Sequence, residues 1–133
     1  MLPLTAAGGV VLVRQYRYVQ GDWFWEMPTG GLRPGEALVE AAQRELREEA
    51  GARAGELLPL TRFQTSKSVV REVAHLFVAR ELTPDPLPPD DTEEFEVAEF
   101  PAGEALRMAL SAEIQDAMTV VALLHAAQRG LLG

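Results

Sequence analysis

The stretch Gly30-Gly31-Leu32-Arg33-Pro34-Gly35-Glu36-Ala37-Leu38-Val39-Glu40-Ala41-Ala42-Gln43-Arg44-Glu45-Leu46-Arg47-Glu48-Glu49-Ala50-Gly51 passes from a glycine- and proline-rich loop into a helix and then stops. The loop, Thr29 to Gly35, has the composition of backbone held in unusual angles. The helix is expected from about Glu36 to Ala50, with Leu38, Ala41, Ala42 and Leu46 as a modest apolar face and Gly51 as its C-terminal stop. Glu45, Glu48 and Glu49 fall at i, i+3 and i+4, so their carboxylates project from one helical face. Like charges at that spacing cost roughly 0.2–0.5 kcal/mol per pair, a cost that a hard divalent cation would offset. A solvated face is the competing explanation: Glu40 lies four before Arg44 and Arg44 four before Glu48, the spacing of ordinary ion pairs.

Outward from this helix the chain reads as alternating strands and helices. Met1 to Val13 is apolar, but it lacks a basic leader segment and its apolar run ends at Arg14, so a buried strand explains it better than a secretion signal. Gly9 to Tyr18 carries β-branched and aromatic residues in the manner of a largely buried strand. Gly21-Asp22 is a turn, Trp23 to Met27 a second strand, and Pro28 stops it because proline cannot donate to a ladder. Leu57 to Phe63, Val69 to Arg80 and Phe95 to Phe100 suit further strands, with an acidic, proline-rich loop at Pro84 to Asp91. Pro101 opens a short helix to Leu110, and a last helix is expected over Ser111 to Arg129 with Ser111 as its N-cap. The expectation is one mixed α/β (α+β) domain spanning residues 1–133.

Composition narrows the chemistry. Twenty acidic against 12 basic side chains give a net charge of −8, which repels a long polyphosphate backbone and makes nucleic acid a poor partner. A small phosphate ester stays possible if divalent cations sit between the two anions. With no cysteine, metal chemistry must use oxygen or imidazole. No apolar run reaches the 18 or so residues of a membrane span, so no membrane partner and a cytoplasmic location are expected. His75 reads as a half-buried strand residue and His125 as a helix-surface one, neither with a partner at metal spacing.

Gly30, Glu36 six residues on, and then Arg44-Glu45-Leu46-x-Glu48-Glu49-x-Gly51 resemble the signature of the Nudix hydrolase family at every fixed position. The one departure is Ala52, where an aliphatic residue usually closes the pattern. The resemblance implies an α/β/α sandwich around a mixed sheet and hydrolysis of a diphosphate linkage in a nucleotide-linked substrate. It also implies Mg²⁺, with Mn²⁺ as an alternative, held by Glu45, Glu48 and Glu49, Glu49 first among them, and by the carbonyl of Thr29. Such cations neutralise diphosphate oxygens and activate water for attack on one phosphorus. Arg44 would orient the carboxylates and Glu36 would hold the loop against the helix.

Beyond the signature, Val13-Arg14-Gln15-Tyr16-Arg17-Tyr18, Trp25-Glu26-Met27-Pro28-Thr29-Gly30-Gly31 and the tail segments Glu104 to Met108 and Glu113 to Thr119 are similar to the ADP-ribose (ADP-sugar) pyrophosphatase branch. By that likeness the substrate is ADP-ribose, cleaved to AMP and ribose 5-phosphate, and the assembly is a homodimer. A glutamate from a strand-preceding loop serves the branch as base or further metal ligand, and Glu72 matches it best, against the alternative of an exposed strand residue. Arg14 and Arg17 are candidates for phosphate or terminal sugar, because guanidinium offers paired donors, although either would equally suit a surface ion pair. Glu26 and Trp25 are candidates for approach to the nucleoside, with a core role the commoner one for tryptophan. Two features depart from the branch: its N-terminal β segment has no counterpart before a core strand expected within ten residues of Met1, and Lys67-Ser68-Val69 stands where a proline is frequent. The rivals are a nucleoside-triphosphate pyrophosphohydrolase of the same fold and a nucleotide-binding module without turnover, the latter disfavoured by the intact Glu45, Glu48 and Glu49. A structural or scaffolding protein fits least well.

Overall fold

The computed structural model describes residues 1–88 and 94–133. In chain order it contains β1 (Leu2–Pro3), β2 (Gly9–Arg17), β3 (Asp22–Glu26), α1 (Leu38–Ala50), β4 (Ala52–Gln64), β5 (Val73–Pro84), β6 (Glu96–Pro101), α2 (Ala102–Leu110) and α3 (Ala117–Gln128). Two three-stranded sheets form, β1-β5-β4 and β3-β2-β6. The first is mixed, since β1 runs parallel to β5 and β4 antiparallel to it. The second is antiparallel throughout. Among the described residues an antiparallel bridge from Leu4 to Val10 links them.

Alternation along β5 explains the layering. Ala74, Leu76 and Val78 enter a core shared with Leu2, Val10 and Leu12 and with Ala105, Ile114, Ala122 and Leu123 from the α2–α3 side. Phe77 and Ala79 enter a second cluster with Ala42 and Leu46 of α1. Successive side chains of a strand point to opposite faces, so one strand buries both and holds helices on either side. This is the expected α/β/α sandwich, although the β layer is two sheets rather than one. Leu46 is fully buried in the smaller cluster. Truncating it to alanine would cost roughly 2–5 kcal/mol, the usual range for a core leucine.

A register shift in the β4–β5 ladder lies between Pro59 and Thr61. Arg129, just past α3, donates to the carbonyls of Pro59 and Leu60 (3.2 Å each), satisfying backbone groups that the shift would otherwise strand.

Several boundaries differ from expectation. The apolar opening is two strands separated by a turn, not one, with Gly8 N–H donating to Thr5 O (3.1 Å). Helix α1 begins at Leu38, because the Glu36 carboxylate is engaged by Arg33 N–H and by Arg44 and stays in the loop. Leu38 is exposed, so the buried face of α1 rests on Ala41, Ala42 and Leu46. Strand β4 starts at Ala52, earlier than Leu57, pairing with an extended β5 through Ala52 and Pro84. Strand β5 starts at Val73, not Val69: Thr65 N–H donates to Glu72 O (3.2 Å) and closes the hairpin there, leaving Val69 and Val70 exposed in its loop. His75 is exposed rather than half-buried. The last helix starts at Ala117 and is capped by Asp116; Ser111 instead ends α2, its N–H bonding to Arg107 O (2.9 Å). Of the acidic proline-rich loop, Pro89, Asp90 and Asp91 lie outside the described residues.

Candidate metal centre and diphosphate site

Helix α1 stops where the sequence placed its stop. Gly51 takes a left-handed conformation (φ 65°) and returns its N–H to Leu46 O, an ending that an L side chain would strain. At the other end Ala37 has no capping oxygen, so Glu40 reaches back to the Ala37 N–H (3.1 Å). Between these ends Glu45, Glu48 and Glu49 share one face. All three are largely withdrawn from solvent, Glu49 most of all at 8% exposure.

Arg44 is the hub. Its Nε donates to Glu36 Oε1 (2.8 Å) and its Nη2 to Glu36 Oε2 (3.1 Å) and to the Gly31 carbonyl (2.9 Å). Its Nη1 reaches Glu45 (2.7 Å) and Glu48 (3.3 Å). Planar, five-donor guanidinium suits this divergent set in a way that a lysine ammonium would not. Hydrogen bonding to Arg44, with the backbone N–H of Arg33, pulls the Glu36 carboxyl down to about 2. The same bond to Glu36 raises the Arg44 guanidinium above its ordinary value. The i,i+4 pair Arg44–Glu48 that suggested a merely solvated face therefore exists, but inside a largely buried network that ties the loop to the helix.

The loop approaches the helix at two points. Thr29 N–H donates to Glu49 Oε2 (3.1 Å), which turns that carboxylate toward the start of the signature loop. At Gly30 a Cβ would sit 2.0 Å from Glu45 Cδ, so only glycine lets the Glu45 carboxylate lie against the backbone. Among the described residues no three carboxylates or imidazoles close on a single point, since Arg44 occupies the space between Glu36, Glu45 and Glu48. The donor set nevertheless fits a hard divalent cation: sheltered carboxylates on one face, a peptide segment at Thr29–Gly30 pressed against them, and no cysteine in the chain.

Glu72 stands in the loop before β5, its Oε1 accepting from Thr65 Oγ1 (2.8 Å). It lines a cavity of about 370 Å³ together with Thr29, Gly30, Gly31, Glu45 and His75. A second cavity, about 440 Å³, is lined by Arg17, Phe24, Glu26, Asp116 and, in common with the first, by Thr29 and Met118. Arg17 holds Glu26 through Nε (2.8 Å) and Nη2, and this bonding raises its guanidinium further above the ordinary value. The structure thus brings Thr29, Glu45 and Glu72 to one cavity and Thr29, Arg17 and Glu26 to its neighbour, while Glu49 reaches them through the Thr29 N–H and Glu48 lines neither.

Arg14 is not brought there. Three residues from Arg17, it lies on the opposite face of β2, paired with Glu96 (3.3 Å) and stacked 5.3 Å over the Trp23 ring. Trp25 is half-buried and packs edge-to-face on Phe100 (5.1 Å) against the core. Sequence reasoning missed Asp116, which lines the second cavity, and Thr119, which lies buried behind it and bonds to it. The signal that could have found them is an aspartate three residues before a threonine at a helix start.

A family model described as NUDIX domain matches residues 1–121. The chain is 35% identical over 125 residues to an ADP-ribose pyrophosphatase of Bacillus subtilis, covering 92% of this chain and 68% of that protein. It is 32% identical over 128 residues to an ADP-ribose pyrophosphatase of Mycobacterium tuberculosis, covering 92% and 62%. A crystal structure of an ADP compounds hydrolase superposes with a TM-score of 0.86 at 25% identity over 96% of this chain and 69% of the other. The chain thus spans about two thirds of the length of these relatives. With the signature residues assembled as described and a family match across most of its length, this chain belongs to the Nudix family of divalent-metal-dependent hydrolases.

Proposed function

We propose that the chain hydrolyses the diphosphate bond of ADP-ribose, giving AMP and ribose 5-phosphate, with Mg²⁺ as its metal and Mn²⁺ as a substitute. The observation that carries this reading is the paired cavity. Glu45, Glu72 and the Thr29–Gly31 backbone face one chamber, and Thr29 and Met118 join it to a second that holds Arg17. A bisubstituted diphosphate has its scissile link in the middle and a bulky group on each side, which a two-chamber cleft accommodates.

In this reading Glu45, Glu48, Glu49 and the Thr29 carbonyl hold the metal, with Glu72 as a further ligand or as base. A divalent cation there would supply charge neutralisation for diphosphate oxygens and acidify water. Arg17 offers guanidinium donors to a phosphate at the chamber junction, and Glu26 fixes its orientation. Arg44 holds Glu45 and Glu48 in place without touching substrate. Glu72, beside the first chamber, accepts the proton of the attacking water. The water oxygen bonds to one phosphorus while the bridging oxygen departs with the other, so each product keeps one phosphate.

The same reading takes residues 1–133 as one domain acting in the cytoplasm as a homodimer. Among the described residues no helix is long and apolar enough to cross a membrane. Exposed Tyr16, Tyr18 and Trp23 on the β2–β3 hairpin support a second copy as partner, for which light scattering is the test. The activity itself is tested by metal-dependent release of phosphatase-sensitive product from ADP-ribose, other ADP-sugars, dinucleotides and nucleoside triphosphates. Preference for ADP-ribose supports the proposal; preference for triphosphates overturns the substrate, and turnover of none makes the chain a binding module.

A further inference from the structure

We infer that Thr119, fully buried in the first turn of α3, is a positioning residue for the metal site, acting through the backbone of Met27 to Thr29. The inference rests on the metal-dependent reading above. The β2–β3 ladder ends at the pair Val13 and Glu26, and Pro28 follows at once, so Met27 N–H stands past the last strand pair. It donates instead to Thr119 Oγ1 (2.9 Å), a contact made across 92 residues of sequence. Thr119 is wholly inaccessible to solvent, and so is Met27.

The direction of this bond is set from the other side. A hydroxyl has one hydrogen, and that of Thr119 is taken by Asp116 Oδ2 (2.5 Å), which also accepts from Thr119 N–H (3.0 Å). The Thr119 oxygen is thereby left with its lone pairs toward Met27. The order is therefore Met27 N–H to Thr119 oxygen, then Thr119 O–H to the carboxylate that caps α3. Two residues along from Met27, Thr29 N–H orients Glu49 (3.1 Å), and Gly30 presses on the Glu45 carboxylate. A short, proline-stiffened segment is thus clamped at Met27 and carries at its far end the groups that set two carboxylates. Packing alone would ask only for a β-branched side chain at position 119; the clamp asks for its oxygen.

The variants Thr119→Val, which keeps the shape and loses the oxygen, and Thr119→Ser, which keeps the oxygen, separate these roles. The measurements are Mn²⁺ binding by calorimetry without substrate and hydrogen exchange of the Thr29 amide. For Thr119→Val the expected result is at least fivefold weaker Mn²⁺ binding and at least tenfold faster Thr29 exchange, both restored in Thr119→Ser. Wild-type values of both in a folded Thr119→Val overturn the inference. Should Thr119→Val not fold, Asp116→Ala, which removes the acceptor of the Thr119 hydroxyl, decides the matter: weakened Mn²⁺ binding at unchanged helix content supports the clamp, and unchanged binding overturns it. A wild-type chain that binds no divalent cation overturns the functional reading and this inference with it, whereas wild-type binding that Thr119→Val retains overturns this inference alone.

Discussion

The carboxylate of Glu45 lies so close to the α-carbon of Gly30 that a methyl group there would stand 2.0 Å from both Cδ and Oε1. The clashing atoms belong to the end of a flexible side chain, so Gly30→Ala is expected to fold, with stability changed by less than about 1 kcal/mol. Glu45 must then rotate away. The expected outcome is a raised Mg²⁺ half-saturation and a rate loss of more than about tenfold, with the melting temperature nearly unmoved. A Gly30→Ala chain with wild-type metal dependence would remove the contact from the account of the site.

Glu49→Gln retains an oxygen that can accept from Thr29 N–H and removes only the charge. Turnover is expected to vanish while circular dichroism and melting temperature stay near wild type. Unchanged activity in this variant would sink the mechanism, because Glu49 is the first of the proposed metal ligands.

Glu72 is the group assigned as base, and its bond to Thr65 belongs to the loop rather than to the core. General-base catalysis contributes roughly 10²- to 10⁴-fold, so Glu72→Gln should lower kcat by at least a hundredfold with folding unaffected. A loss under about tenfold would assign the proton to another acceptor.

Acid should weaken the loop-to-helix tie. Arg44 and the Arg33 N–H hold the Glu36 carboxyl down to about 2, below its ordinary value of 4.5, so the folded chain binds this proton less readily than the unfolded one. The stabilisation is therefore complete above about 4.5 and is lost as pH falls toward 2. Glu36→Gln should flatten the fall in denaturation midpoint over that interval. A wild-type and a Glu36→Gln chain with parallel acid profiles would contradict it.

The sequence alone determined whatever depends on local periodicity. Spacings of three and four put Glu45, Glu48 and Glu49 on one helical face, and glycine at position 51 ended that helix, because both follow from backbone geometry within a turn or two. Tertiary structure decided the rest. Arg14 and Arg17 read in sequence as sharing one task, and the structure separates them: three residues apart on β2, they point to opposite faces. Ser111 and Asp116 are both sound caps by residue type, and the choice fell to Asp116 because α2 runs to Leu110 and the chain must turn before α3 can begin. That Arg44 would bind Glu36, Glu45, Glu48 and Gly31 together, and that Thr119 would meet Met27, could not be read from spacing. Those contacts exist only once both faces of β5 are covered, because burial brings distant donors together and leaves no water to satisfy them otherwise.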